Sequence, residues 1–238
     1  MLRIEHLTKT YPGGKTAVRD LSLHVCPGDI TGFIGHNGAG KTTTIKAAVG
    51  ILEFDEGEIF IDGIPMRQDP LACKQKLAYI PDNPDLYPYL TGIQYLNFVA
   101  DLFGVSARDR SARVERYAGA FGITGVLGDM ISSYSHGMRQ KLAVTAALVH
   151  EPRLLVLDEP FVGLDPKASH LLKVMMREVC DEGGAIFFST HVLEVAEKLC
   201  DKVAIIKGGR LVRSGTMEEV KGDDSLEEVF LELEEESC

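Results

Sequence analysis

Apolar and polar positions alternate in two short runs near the start of the chain. Leu2, Ile4 and Leu7 form the first and Leu21, Leu23 and Val25 the second, with Tyr11-Pro12-Gly13-Gly14 between them. This pattern predicts two antiparallel strands joined by a turn. Pro27-Gly28-Asp29 turns the chain into a largely apolar stretch, Ile30 to Ile34, and a helix-permissive stretch from Thr43 to Val49 is closed by Gly50 as a C-cap. After a turn at Asp55-Glu56-Gly57, Glu58 to Asp62 alternates as a strand, and Leu77 to Ile80 predicts another that stops at Pro81.

The period then changes. Pro81 to Pro88 holds three prolines and two aspartates, a rigid non-helical connector. Beyond Thr91, Ile93, Leu96, Asn97 and Ala100 share one helical face, and Ser106 with Asp109 caps a second helix running through Tyr117 and Ala120. Glycines 119, 122, 125 and 128 break the pattern into loops before Ser135-His136-Gly137 opens a strong helix, Met138 to Val149. Residues 82–150 are thus expected to form a helical subdomain between two strand-rich parts. Leu154 to Leu157 and Ala185 to Phe188 read as buried parallel strands. They flank a helix, Ala168 to Val179, that follows the turn Gly163-Leu164-Asp165-Pro166. Val203 to Ile206 and Leu211-Val212 make a hairpin around Gly208-Gly209. Residues 223–238 give a last, acidic helix with Leu226, Val229, Phe230 and Leu233 on one face. At 238 residues the chain is expected to be a single domain. Its class is α/β, with a mainly parallel sheet, an antiparallel β subdomain and the helical subdomain.

Chemistry enters at Gly35-His36-Asn37-Gly38-Ala39-Gly40-Lys41-Thr42-Thr43. The stretch fits G-x-x-x-x-G-K-[ST] and lies between a predicted strand and a predicted helix, the context a phosphate loop needs. Gly35, Gly38 and Gly40 permit positive φ and close approach, so that successive N–H groups surround a polyphosphate. The helix dipole adds to this attraction. Lys41 would reach the β- and γ-phosphates, and the Thr42 hydroxyl would take one Mg²⁺ position. The plain alternative is a Gly-rich turn before a helix. Asp158 and Glu159 close the strand from Leu154, at the edge where open α/β sheets bind ligands. Asp158 is the candidate for holding Mg²⁺ and Glu159 for orienting or deprotonating water. The other reading is an acidic strand end that caps the next helix. Ser189-Thr190-His191 ends the neighbouring strand at the same edge. Ser135 and Gly137 serve either as an ordinary N-cap signal or as an anion site.

Charge narrows the classes. The formal net charge of -10 opposes binding to nucleic acid. Five scattered cysteines without a C-x-x-C pair fit a reduced compartment and no simple zinc cluster. No signal peptide opens the chain, and no apolar run approaches the ~18 residues that span a bilayer. A membrane role therefore needs another chain.

These motifs together resemble the nucleotide-binding subunit of the ATP-binding cassette transporters, over essentially the whole chain. Lys41 with Thr42 resembles Walker A and Leu154 to Glu159 resembles Walker B. Tyr11 is similar to the aromatic that stacks on adenine, Ser135 to Gln140 to the signature motif, Gly163-Leu164-Asp165 to the D-loop, and His191 to the switch histidine. Two departures stand out. Tyr134-Ser135-His136-Gly137-Met138 keeps the serine and second glycine of the usual Leu-Ser-Gly-Gly-Gln, and Asp82 stands where the family places a glutamine that contacts Mg²⁺. The shorter, charged Asp82 either ligates Mg²⁺ more strongly or fails to reach it.

The resemblance implies an ATPase with ATP and Mg²⁺ bound and a P-loop NTPase core. It implies a second cassette subunit as partner, with each signature closing over ATP held by the other chain, and a homodimer can be built from this chain alone. It also implies a separate transmembrane permease, a place on the inner face of the cytoplasmic membrane, and export as the commoner direction for such variants. The docking surface is expected between the Asp82 connector and the helix from Thr91 to Phe103, where Tyr87, Tyr89 and Tyr95 either contact the partner or pack internally. The rival readings are a cassette acting on nucleic acid or ribosomes, a P-loop GTPase or small-molecule kinase, and a catalytically weak regulatory subunit. The first lacks basic extensions here, the second lacks Asn-Lys-x-Asp, and Glu159 with His191 argues against the third.

Overall fold

The computed structural model describes residues 1–235, so residues 236–238 of the expected C-terminal helix lie outside the described residues. The chain opens with β1 (Leu2–Thr10), β2 (Thr16–Val25), β3 (Ile30–Ile34) and α1 (Lys41–Ala48), followed by β4 (Glu56–Ile61), β5 (Ile64–Pro65), α2 (Pro70–Gln75) and β6 (Leu77–Ile80). Three helices, α3 (Gly92–Leu102), α4 (Ala107–Ala120) and α5 (His136–Val149), then precede β7 (Leu154–Asp158). The rest alternates as α6 (Pro166–Asp181), β8 (Ala185–Thr190), α7 (Leu193–Leu199), β9 (Lys202–Lys207), β10 (Arg210–Thr216), α8 (Met217–Lys221) and α9 (Leu226–Glu235).

Two sheets result. One has four strands in the order β2-β1-β4-β5, and the other has six in the order β10-β9-β3-β8-β7-β6. The small sheet is antiparallel throughout. In the large sheet only β10 runs against its neighbour. Strands β3, β7 and β8 are buried along their whole length, which is why they read as continuous apolar runs rather than alternating ones. Alternate residues still serve different layers. Phe33, Val156, Phe187 and Ala204 pack toward the antiparallel sheet and α1, whereas Ile34, Leu157, Phe188 and Ile205 pack toward the helices.

Local chemistry fixes the helix ends. Thr91 and Gln94 form a reciprocal capping box on α3, Ser106 caps α4, Ser135 caps α5 and Asp165 caps α6 ahead of a proline. The structure corrects three local expectations. Helix α1 ends at Ala48 with Val49 as its cap, and Gly50 takes the left-handed position just beyond it. Strand β4 starts at Glu56 rather than Glu58, because Gly57 can run against the Glu5 and His6 backbone, where a Cβ would come within 2.4 Å of the Glu5 carbonyl oxygen. Helices α2 and α8 are additions, signalled by Asp69-Pro70 and by the Thr216–Glu219 capping box.

His150 closes α5 and stacks on Phe103 with ring centroids 3.7 Å apart. Its Nε2 donates to the Leu77 carbonyl at 3.4 Å, while Nδ1 is buried without a partner. Burial pushes the imidazole from its ordinary 6.5 down to about 4. The folded state therefore binds fewer protons than the unfolded state between these values, so stability falls as the pH drops from about 6.5 toward 4. The expected loss is roughly 3 kcal/mol. Denaturant titrations of the wild type and of His150→Phe across that range should show a flatter pH dependence in the variant.

Candidate phosphate and water-activating site

The loop from Gly35 to Lys41 leaves the C-terminal end of β3 and enters α1. Two glycines do different work. Gly40 caps α1 at φ +114°, and a side chain there would collide with the Ala17 carbonyl at 2.6 Å. Gly35 has no positive φ; it is needed because a Cβ would lie 2.5 Å from the Ile206 carbonyl oxygen. The hairpin between β9 and β10 also supports the loop, with the Gly209 amide donating to the Ala39 carbonyl at 2.9 Å. Lys41 is only 6 % exposed. Its ammonium donates to the carbonyls of Gly35 at 2.5 Å and His36 at 3.3 Å, so the charge is held inside the curve of its own loop.

The ends of β7 and β8 face this ammonium. Asp158 pairs with Ser189 in the sheet register, and the Ser189 hydroxyl donates to Asp158 Oδ1 at 2.5 Å while accepting from the Glu159 amide at 3.1 Å. The Glu159 amide also donates to the Ser189 carbonyl at 3.2 Å. Glu159 has φ +48°, an uncommon conformation for a residue with a side chain. It turns the chain out of the strand directly after Asp158. Glu159 Oε1 lies 3.0 Å from His191 Nδ1 and 3.5 Å from Lys41 Nζ, yet takes no well-directed hydrogen bond. The Lys41 ammonium stabilises its charge, the His191 ring lies alongside, and its lone pairs stay available to water.

These groups open on one cavity of about 300 Å³, whose wall includes Tyr11, Asn37, Gly38, Gly40, Lys41, Thr42, Thr43, Asp82, Asp158 and Glu159. Tyr11 stands at its mouth, half-exposed, with its hydroxyl 3.3 Å from Thr43 Oγ1. Asp82 is exposed on the same wall as Asp158, although the two are far apart in sequence. Gly35 and Ala39 belong to the loop without lining the cavity, and His191 reaches the site through Glu159. Among the described residues, no three His, Cys, Asp or Glu side chains converge to hold a metal unaided.

Ser135, Gly137 and Asp165 are not part of this wall. They form a second cluster at the N-terminus of α5, where Ser135 caps the helix and Lys141 donates to Asp165 at 2.7 Å. That pairing, together with the Ala168 amide, holds the Asp165 carboxyl below its usual range.

A model of the family described as "ABC transporter" matches residues 18–162, the span that contains both the loop and the strand end. The chain belongs to the ABC transporter family. It is an ATP-binding cassette, and an ATPase. The cassette is 33% identical over 243 residues to the ABC-type transporter ATP-binding protein EcsA of Bacillus subtilis (strain 168), covering 100% of this chain and 98% of that one. It is 35% identical over 219 residues to the linearmycin resistance ATP-binding protein LnrL of the same organism, covering 91% and 69%. A solved structure described as the ATP binding subunit of an ABC transporter superposes with a TM-score of 0.94 at 34% identity, covering 98% and 99%.

Two supports of the cassette's site carry no local sequence signal. Ser189 acts through its cross-strand place beside Asp158, and Ile206 with Gly209 acts through backbone contact with a loop far upstream. Ser189→Ala leaves Asp158, only 3 % exposed, without its hydroxyl donor. The variant is expected to unfold about 1.5–3 kcal/mol more easily, the usual worth of a hydrogen bond to a buried charge, and thermal unfolding at neutral pH measures this directly.

Proposed function

We propose that this cassette powers export across the cytoplasmic membrane by ATP-dependent closure of a dimer docked on a separate transmembrane permease. The observation that carries this reading is the separation of the two clusters within one chain. The phosphate cavity lacks Ser135 and Gly137, while the capped N-terminus of α5 presents a hydroxyl and a helix dipole with no phosphate site of its own chain against them. Two copies placed head to tail give each γ-phosphate both sets of groups. ATP then favours closure and ADP does not, because the bridging phosphate has left.

Within the cavity, Glu159 orients and deprotonates the attacking water, and Lys41 leaves its own loop carbonyls for the phosphate oxygens. His191 holds the Glu159 carboxylate in place at 3.0 Å and stabilises charge on the transferring group. Tyr11 stacks on the adenine at the cavity mouth. The hard oxygen donors of Thr42, Asp158 and Asp82 fit Mg²⁺, which takes one or two carboxylates and completes its shell with phosphate and water. When bound, that ion neutralises charge on the phosphates.

Among the described residues no helix is long and apolar enough to cross a membrane, and we assign the transport path to another chain. A groove of about 410 Å³ between β6 and the α3–α5 layer, lined in part by Pro81, Pro84 and Leu86 of the connector that carries Asp82, is the docking surface we assign to it. Tyr95 packs partly inward, with Tyr87 edge-on to it at 6.2 Å, but Tyr87 and Tyr89 are 55 % and 85 % exposed. Phe98 and Leu102 extend the exposed apolar rim. The name of LnrL, a resistance protein, supports the outward direction.

In Glu159→Gln the turnover of ATP should fall roughly 10²- to 10⁴-fold, while light scattering should show a dimer with ATP·Mg²⁺ and a monomer with ADP. Near wild-type turnover would remove Glu159 from this role. A photocrosslinker placed at Tyr89 should join the cassette to a copurifying membrane chain; crosslinks only within the cassette would reject the groove as the docking surface.

A further inference from the structure

Three side positions of α5, His136, Gly137 and Lys141, meet the D-loop that follows Glu159. His136 and Gln140 lie one above the other on the helix, and Gly137 and Lys141 form the adjacent row. The His136 ring rests against the bare Cα of Gly163, where a Cβ would lie 2.4 Å from Cδ2 and 2.6 Å from Nε2. Gly163 also has φ +81°, so no other residue fits beneath this ring without strain. The next row is equally close: a Cβ on Gly137 would meet the Gly163 carbonyl oxygen at 3.0 Å, and Lys141 holds Asp165 at 2.7 Å. The D-loop in turn is tied to Glu159, whose carbonyl accepts from the Val162 amide at 3.2 Å.

Gln140 breaks the rule that buried polar groups are paired. It is 0 % exposed, and neither its Oε1 nor its Nε2 has a hydrogen-bond partner. A leucine would fill this place without the desolvation penalty. The amide sits one turn below His136 on the same row of the helix, the row whose first residue rests on the D-loop.

We propose that His136 and Gln140 are positioning residues of the ATPase reaction: His136 latches the D-loop in the conformation seen here, and Gln140 pairs with the loop backbone when the latch opens. The loop thereby has two discrete positions, and Glu159 is placed differently in each. The signature helix, which meets the partner's nucleotide in the proposed dimer, reports to the water-activating carboxylate of its own chain through these two side chains. This inference rests on the role given to Glu159, but its loop component does not.

The test uses the full-length chain with His136→Gly, His136→Gln and Gln140→Leu. Hydrogen exchange of residues 161–165 in the nucleotide-free protein should rise about tenfold in His136→Gly, as a local opening becomes easier. It should stay near wild type in His136→Gln, whose planar amide refills the wedge. Gln140→Leu should raise the melting temperature by roughly 2–4 °C and still lower turnover on the order of ten- to a hundredfold, the cost of a misplaced catalytic group. A merely structural glutamine would not separate the two readouts in that way. Unchanged exchange in His136→Gly, or wild-type turnover in Gln140→Leu, overturns the proposal. If instead Glu159→Gln hydrolyses ATP normally, the role of Glu159 fails while the exchange result stands by itself.

Discussion

A buried ammonium must always have partners, and Lys41 is the one around which this molecule is arranged. Taken out of water, an unpaired charge costs several kcal/mol, so the loop curls until the Gly35 and His36 carbonyls meet the ammonium. Glu159 supplies the opposite charge at 3.5 Å. Polyphosphate offers stronger acceptors in the same place. On the proposed reading, nucleotide binding is therefore an exchange of partners for one cation, and it changes the electrostatic surroundings of Glu159 in the same event.

The sheet makes that exchange possible by bringing the ends of β3, β7 and β8 together. Each strand is buried on both faces, between an antiparallel layer and a helical one. Such strands can slide or tilt little, because close-packed interiors resist small displacements. Asp201 reinforces the far end by accepting from the Ile30 amide at 2.8 Å while Arg177 grips its two oxygens at 3.0 and 3.2 Å. Rigidity is thus concentrated in the sheet. The strands of the large sheet hold no residue with a side chain at positive φ, and the strained Glu159 comes directly after β7.

What is legible in the sequence follows from how local the physics is. Capping residues such as Ser106, Ser135 and Asp165 act within one helical turn, and each stands where its helix begins. The α/β class and the mainly parallel sheet are legible because apolar runs such as Leu154 to Leu157 record burial directly. The phosphate loop is legible because its demands on the backbone fall on adjacent residues. Ser189 is not, since its value depends on lying opposite Asp158 in a strand pairing that only the folded sheet defines. Neither is the reason for Gly35, which resides in the Ile206 carbonyl rather than in any torsion of its own. Helix α7, seven residues long, is too short to show a period. The tyrosines at 87, 89 and 95 look alike in sequence, and only packing divides Tyr95 from the two that face outward.

The edge strand β6 lies along the groove proposed for docking. Among the described residues no strand pairs with its outer side, and it is four residues long, ending at a proline. A peptide that tried to extend the sheet there would form only a few ladder bonds before Pro81 stopped it. Backbone pairing, which accepts almost any sequence, is thereby a poor mode of recognition on this face. In the proposed assembly, partner choice falls instead to side chains such as Tyr89, Phe98 and Leu102, which stand outside the core. On that reading, a change of partner needs substitutions only at surface positions such as these, and leaves the buried residues around the phosphate loop untouched.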